Sequence, residues 1–390
     1  MPSAIWTTLK TNNIRIIGGL NEVQATAWNA LNYSQQPFLS YEFLQALEEY
    51  GCVGEHWGWL PQHLLIEENG TLVGAMPLYL KTNSYGELVF DWSWADAYAR
   101  AGLQYYPKLV SAIPYTPVTG ERMLVSEHHD THDIRDQLIH AALTHARQLE
   151  VSSLHILFPV ENELDDYKQH GMLQRDGCQF HWFNNHYASF DDFLATFSAQ
   201  KRKKVKRERR HVSDAQVRIE ILDGHAISEA IWQAFHALYC STFMRKSGYA
   251  TLSLDFFLSL SERMPDRVRL IMASHQNDFV AGAYFLCDDN NLYGRHWGCK
   301  EHFHSLHFEV CYYSAIEYCI ATQRQHFDAG AQGEHKISRG FRPVPTYSVH
   351  WLSHPAFMGA VADFVAREAQ GVAHYRDALA DHLPYKKQDD

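Results

Sequence analysis

The densest chemistry in this chain lies in residues 333–341, where Glu334, His335, Lys336 and Arg339 fall within nine positions just after a short apolar strand pattern. Attack by an amine on an acyl carbonyl needs a neutral amine, donors for the developing oxyanion and a nearby proton acceptor. Glu334 or His335 fits the acceptor role, with Asp328 on the preceding strand as a further general base. Lys336 and Arg339 suit a carboxylate or phosphate of the acceptor.

Upstream, Tyr293, Arg295 and Trp297 alternate along one strand pattern, so they are expected on one face with His296 on the other. An arginine between two aromatic rings can clamp a planar or anionic ligand. The loop after this strand leads into a helix expected over residues 305–322. A helix N-terminus binds phosphate through free N–H groups, so Ser305 marks a donor-binding site. Residues 201–210, KRKKVKRERR, carry eight cations and one acid, a local +7 that leaves −18 on the other 380 residues. On a helix, positions 201, 204 and 208 form one side and 203, 207 and 210 another, so only some of these cations can meet one ligand. Further forward, Asp91, Asp96 and Lys108 lie in a Trp/Tyr/Pro-rich stretch, residues 90–124, that could fold over an inter-domain cleft. The histidine clusters around His302-Phe303-His304 and His128-His129 lack the two-His-plus-Glu helical pattern of a metalloprotease, and no metal is expected.

The elements that must position these residues repeat. Leu39-Ser40-Tyr41-Glu42-Phe43-Leu44 returns as Leu252-Ser253-Leu254-Asp255-Phe256-Phe257, each with a serine at a helix N-cap and an acid two residues on. A hairpin follows in both copies: residues 63–67 and 71–80 around Asn69-Gly70, then 268–274 and 279–287 around Gln276-Asn277-Asp278. Each copy continues with a long helix and a short strand, 131–149 into 153–158 and 305–322 into 326–329. The offset between copies falls from 208 at Gly74 and Gly282 to 173 at Leu154 and Phe327, so the first copy has about 35 extra residues, within 90–124. The boundary is expected between 187 and 188, ahead of Phe190, Phe193, Leu194 and Phe197, whose spacing marks an amphipathic helix.

At 390 residues, 46% hydrophobic and 20% charged, the chain suits two folded domains. Residues 1–10 lack a secretory pattern and no apolar run is long enough to span a bilayer, so membrane insertion is not expected. Seven scattered cysteines without a Cys-x-x-Cys pair point to a reducing, cytoplasmic setting. An acidic body with one basic segment is suited to meeting an anion at one place, unlike a protein that coats nucleic acid.

Several stretches together resemble a known family: Phe90 to Tyr98, Tyr105-Tyr106-Pro107-Lys108-Leu109, Pro114 to Gly120, the basic segment, Leu292 to Cys299, and Ala329 to Lys336. They resemble the FemAB-like aminoacyl and acyl transferases, and more closely their relatives described as predicted N-acyltransferases or peptidoglycan-biosynthesis-like proteins. The resemblance implies an α/β fold of tandem GNAT-like acyltransferase domains, each a mixed, mostly antiparallel sheet flanked by helices. The first would be residues 1–187 with its insertion at 90–124, and the second 188–390 with its basic entry helix at 201–210. It also implies metal-free transfer of an acyl or aminoacyl group to an amine of a small or cell-wall-precursor-like acceptor. Phosphate binding by Lys201, Lys204 and Arg207 follows from the family's lysine/arginine motif. The Gln/Arg-x-x-Gly-x-Gly/Ala loop with which ordinary GNAT enzymes hold coenzyme A is missing before both long helices. Acyl-CoA and aminoacyl-tRNA therefore both stand as donors, with tRNA as the partner the basic segment would meet. The competing expectation is a non-catalytic anion- or RNA-binding protein that retains the transferase fold.

Overall fold

Ser40 and Ser253 do what their positions suggest. Both sit in extended backbone and accept a hydrogen bond from the N–H three residues on, Phe43 at 3.3 Å and Phe256 at 3.2 Å. Each caps a helix, Tyr41–Glu49 in the first copy and Leu254–Arg263 in the second. These equivalent helices pack on one another, with the Phe43 and Phe256 rings edge to face at 5.6 Å. Arg263 closes the contact with a 2.7 Å ion pair to Glu49. Burying such a ring is worth roughly 1.5–3 kcal/mol, so this pairing is a substantial part of the bond between the halves.

The computed structural model describes residues 13–301, 303–331 and 333–386; residues 1–10, His302 and Gln332, noted above, lie outside the described residues. In the first copy the strands are β1 (Asn13–Ile17), β2 (Trp59–Pro61), β3 (His63–Glu68), β4 (Thr71–Met76), β5 (Tyr79–Lys81), β6 (Lys108–Ser111), β7 (Leu124–Val125), β8 (Ser153–Leu157) and β9 (Leu173–Phe183). In the second they are β10 (Arg218–Asp223), β11 (Val268–His275), β12 (Asp278–Cys287), β13 (Asn291–Cys299), β14 (His326–Asp328) and β15 (Arg342–Leu352).

Both hairpins form as their turns require. Asn69 and Gly70 adopt φ of 54° and 79°, and Gln276 and Asn277 adopt 51° and 69°. Each hairpin carries a bulge close to its turn, at Ile66/Glu67 and at Ala273/Ser274. The return strand expected over 71–80 is two strands, because it breaks at Pro77-Leu78: β4 stays with the hairpin and β5 joins the larger sheet. Consequently one sheet has four strands, β1-β3-β4-β7, and the other has eleven, β10-β11-β12-β13-β14-β9-β15-β8-β6-β5-β2.

The centre of that second sheet joins the copies. β9, the last strand of the first copy, lies between β14 and β15, while β15, the last strand of the second, lies between β9 and β8. Each copy's final strand therefore pairs with the short strand of the other. An unanticipated helix, Pro355–Ala380, then crosses β9 and β15 and buries Val361 and Val365 beside Trp94 and Tyr98 of the aromatic stretch.

Neither copy can complete its sheet without the other, so unfolding should be a single event. In urea, tryptophan fluorescence and far-ultraviolet circular dichroism should trace one coincident transition, since buried Trp28, Trp59, Trp182 and Trp232 span both copies. Two separated transitions would show that the halves are independent.

Candidate functional site

β13 and β14 run parallel for three residue pairs only, ending at Tyr293 and Asp328. Beyond these, β13 continues to Cys299 while the segment after β14 turns at Gly330, φ 82°, close to the Gly294 carbonyl, so the strand pairing opens from there on. Arg295 spans the start of this opening with a 2.8 Å ion pair to Asp328, both side chains almost fully buried. Asp328 also accepts from the Gly330 N–H at 2.8 Å. The arginine and these donors hold its carboxyl well below the usual range despite burial, so Asp328 is a fixed charge and a weak base.

Lys336 enters from the 3-10 helix Glu334–Arg339. It is buried and donates to the Gly330 carbonyl at 2.6 Å. Burial pushes its ammonium down to about 8, with Arg295 adding to the effect and Asp328 opposing it. His335 is exposed, its Nε2 2.8 Å from the Tyr312 hydroxyl. Desolvation, Arg339 and Lys336 lower its pKa, so its imidazole is neutral at physiological pH. A Cβ on Gly333, φ 108°, would meet the His335 ring at 2.4 Å, which is why glycine precedes this turn. Glu334 is exposed and accepts from the Tyr375 hydroxyl at 2.6 Å.

Other expected residues are placed differently. A bulge pairs Tyr284 with His296 but Phe285 with Gly294, leaving Arg295 without an opposite residue. The alternation therefore breaks, and the three residues do not share a face. Tyr293 packs on Phe38, Arg295 lies over the rings of Phe38 and Tyr293, and His296 joins Tyr239 and Tyr284. Trp297 points to the opposite side, against His307 at 5.2 Å. Ser305 does not cap the long helix with its side chain: its φ is 68° and its hydroxyl pairs with His304 at 2.8 Å. The helix itself runs Leu306 to Ala321 with a π turn at Glu309–Tyr313.

Arg339 is not free for a ligand. It pairs with Glu208 at 2.9 Å, lies over the Phe308 ring at 3.3 Å and donates to the His335 carbonyl at 2.7 Å. Glu208 also accepts from the Tyr313 hydroxyl. The single acid of the basic segment is thus the residue missed from sequence, though its signal was present. Val205, Glu208 and Val212 are three and four apart on the helix Ala199–Asp214, and all three are buried. Lys204 and Arg207 are exposed on that helix, and Lys201 is half-buried.

In the first copy, Lys108 and Asp91 meet in a fully buried ion pair that Glu87 joins at 2.8 Å and Tyr105 at 2.6 Å. Asp96 is elsewhere, exposed and paired with Arg100 at 2.6 Å. β6 and β8 part after three pairs as β13 and β14 do, but here the gap is filled. Gly120 bonds to Phe158 at 3.1 Å, and buried Arg122 donates to the carbonyls of Leu157 at 2.8 Å and Val118 at 2.6 Å. In the second copy the corresponding place is occupied by the Arg295–Asp328 pair and by Lys336 on the Gly330 carbonyl.

A family model described as FemAB-like, peptidoglycan biosynthesis and recognition, matches residues 19–387. The chain belongs to the FemAB-like family. This FemAB-like chain is a transferase with a tandem GNAT-like α/β fold, mixed and mostly antiparallel sheets flanked by helices. Among solved structures it is similar to FemX, at 10% identity over 83% of this chain and 94% of that one, with a TM-score of 0.51. A tandem GNAT protein from the clavulanic acid biosynthesis pathway matches 88% of this chain and 99% of its own at 10% identity and a TM-score of 0.45. The C-terminal domain of a putative lysylphosphatidylglycerol synthetase from Agrobacterium fabrum matches 76% and 85% at 9% identity and a TM-score of 0.48. No curated protein matches the FemAB-like chain. Among its described residues no group of three or more His, Cys, Asp or Glu is placed to hold a metal ion, and no helix is long and apolar enough to cross a membrane.

Removing one partner of the Glu208–Arg339 pair leaves a buried charge uncompensated. Glu208→Ala should lower stability by about 3–5 kcal/mol. The double variant Glu208→Leu, Arg339→Met should recover most of that loss in denaturant titrations. Equal losses in both variants would show that the pair does not hold the helix to the Lys336 turn.

Proposed function

We propose that this chain transfers an acyl or aminoacyl group from an activated donor to an amine of a small or cell-wall-precursor-like acceptor, in the opening between β13 and β14. The observation that carries the reading is the early parting of those strands, with Arg295, Asp328 and Lys336 gathered where they separate. The filled gap of the first copy supports giving the chemistry to the second. On this reading residues 1–187 and 188–390 are the two units, each completed by the other's last strand.

The chemistry follows from the charges. The amine nitrogen bonds to the acyl carbon, and the carbonyl electron pair moves to oxygen. Lys336, charged at neutral pH and largely out of water, stabilises that oxyanion. His335, neutral and exposed, takes the amine proton; Glu334 lies beside it at the mouth as the alternative acceptor. When the carbonyl re-forms, the leaving group departs with its bonding electrons and is protonated from water. Tyr293 and Arg295 line one side of the opening and Trp297 the other, while Lys201 and Lys204, with Arg207 on the neighbouring side of the basic helix, offer cations for donor phosphates. An acyl-CoA would use few of these cations, whereas an aminoacyl-tRNA would use more of them and bind with a steep salt dependence. On this reading Asp91 and Lys108 organise the acceptor wall of the first copy.

A panel of labelled acyl-CoA and aminoacyl-tRNA donors with amine acceptors, read by mass spectrometry, tests the activity. Lys336→Ala should lower kcat/KM by about 10²–10³-fold. Because the charged form is required, kcat/KM should fall as pH rises through about 8, where Lys336 loses its proton. Lys336→Arg should move that fall to higher pH. A profile identical in the wild type and both variants would remove Lys336 from the reaction.

A further inference from the structure

Behind the Arg295–Asp328 pair runs a set of hydrogen bonds that the transfer chemistry leaves unused. His181, on β9, stands opposite Asp328. Its Nδ1 is 2.8 Å from Nε2 of His326, and its Nε2 is 3.2 Å from Gln179 Oε1 and 3.7 Å from Asp328 Oδ1. On the far side, His326 Nδ1 is 3.2 Å from Asn291 Oδ1.

The neighbours fix which way both amides face. Asn291 Nδ2 donates to the two carboxylate oxygens of Asp288, each at 2.9 Å, so its oxygen must face His326. Gln179 Nε2 donates to the Pro117 carbonyl at 2.8 Å, so its oxygen must face His181. Each outer ring nitrogen therefore meets oxygens that only accept, and each needs its own hydrogen. The two inner nitrogens share one more. That makes three protons, whereas two neutral imidazoles carry two. The pair is fully hydrogen-bonded only as a shared imidazolium.

The surrounding charges oppose that extra proton in the unliganded protein. Burial first, then His326, Arg295 and Lys336, push His181 down to about 3, with Asp328 pulling the other way. His326 is lowered by burial and by Arg295, against Asp328 and Asp288. Phe183 covers the outer side of His326 without charge. Arg295 and Lys336, which repel the proton, are also the two cations that border the opening.

We propose that the His181–His326 pair takes up one proton when an anion binds beside Arg295 and Lys336, so that His181 is a positioning residue that couples donor binding to the strand supplied by the first copy. The anion offsets the two cations, the third proton enters, and His181 then donates to Gln179 and carries its charge beside Asp328. Through Gln179 and the Pro117 carbonyl the same bond reaches a loop of the first copy. This rests on the donor site proposed above. The first copy supplies a contrast: His155 faces Ser153 and Tyr105, and His350, from β15, faces Ser348; Tyr105 spends its hydrogen on Asp91 and accepts, while the serine hydroxyls donate or accept. Two protons satisfy that pair, and no uptake is expected there.

The test is titration of the full chain with pyrophosphate at pH 7, by calorimetry in two buffers of different ionisation enthalpy. The difference should correspond to uptake of about one proton per site. His181→Asn and His326→Gln should each still bind pyrophosphate but take up none. Independently of these variants, histidine resonances of the isotope-labelled wild type should show His181 and His326 gaining a proton on pyrophosphate addition while His155 and His350 stay neutral. Binding without proton uptake overturns the proposal and leaves the donor site standing. Absence of pyrophosphate binding, or binding unaffected by Lys336→Ala, overturns the donor site and the coupling together.

Discussion

The exchange of β9 and β15 is the constraint from which the site follows. β14 and β15 are consecutive in sequence, yet β9 of the other copy stands between them, so the connecting chain must cross two strand spacings, about 10 Å. That crossing is residues 329–341, and it carries Gly330, His335, Lys336 and Arg339. The same exchange sets His181 opposite Asp328. A pair of domains that merely touched would have neither feature, and each would leave an unpaired strand edge at its centre.

Two buried ion pairs hold this crossing in place. Arg295–Asp328 ties its start to β13, and Arg339–Glu208 ties its end to the basic helix. Such pairs add little net stability, because desolvating both charges offsets much of their attraction. They specify geometry, since either partner alone is costly. Lys336 lies between them, its ammonium on the Gly330 carbonyl and with no carboxylate in hydrogen-bond contact among the described residues. The copies use their polar residues differently: Arg122 binds the carbonyls of the first parting, while Arg295 and Lys336 stand at the second.

Local signals in the sequence disclosed the duplicated elements because caps and turns act over a few residues. Ser40, Ser253, Asn69-Gly70 and the paired glycines at 74 and 282 all specify their surroundings directly. The bulge at Arg295 was not legible, since strict alternation is the default for a strand and only pairing with β12 reveals the extra residue. Ser305 is of a residue type that favours helix caps, but the backbone there is left-handed. Strand exchange leaves no local trace at all: β9 and β15 would read the same whichever copy they completed. Glu208 is readable in principle, as one acid in register with Val205 and Val212, but it stands among eight cations whose charge dominates the segment.

The central claim is that the donor enters the second copy where β13 and β14 part. A crystal structure of the chain with a bound acyl or aminoacyl donor analogue tests it most directly. The account predicts density between Gly294–Cys299 and Gly330–Lys336, with the reactive carbonyl beside Lys336. Density against β6 and β8 of the first copy, with the second opening unoccupied, would contradict it.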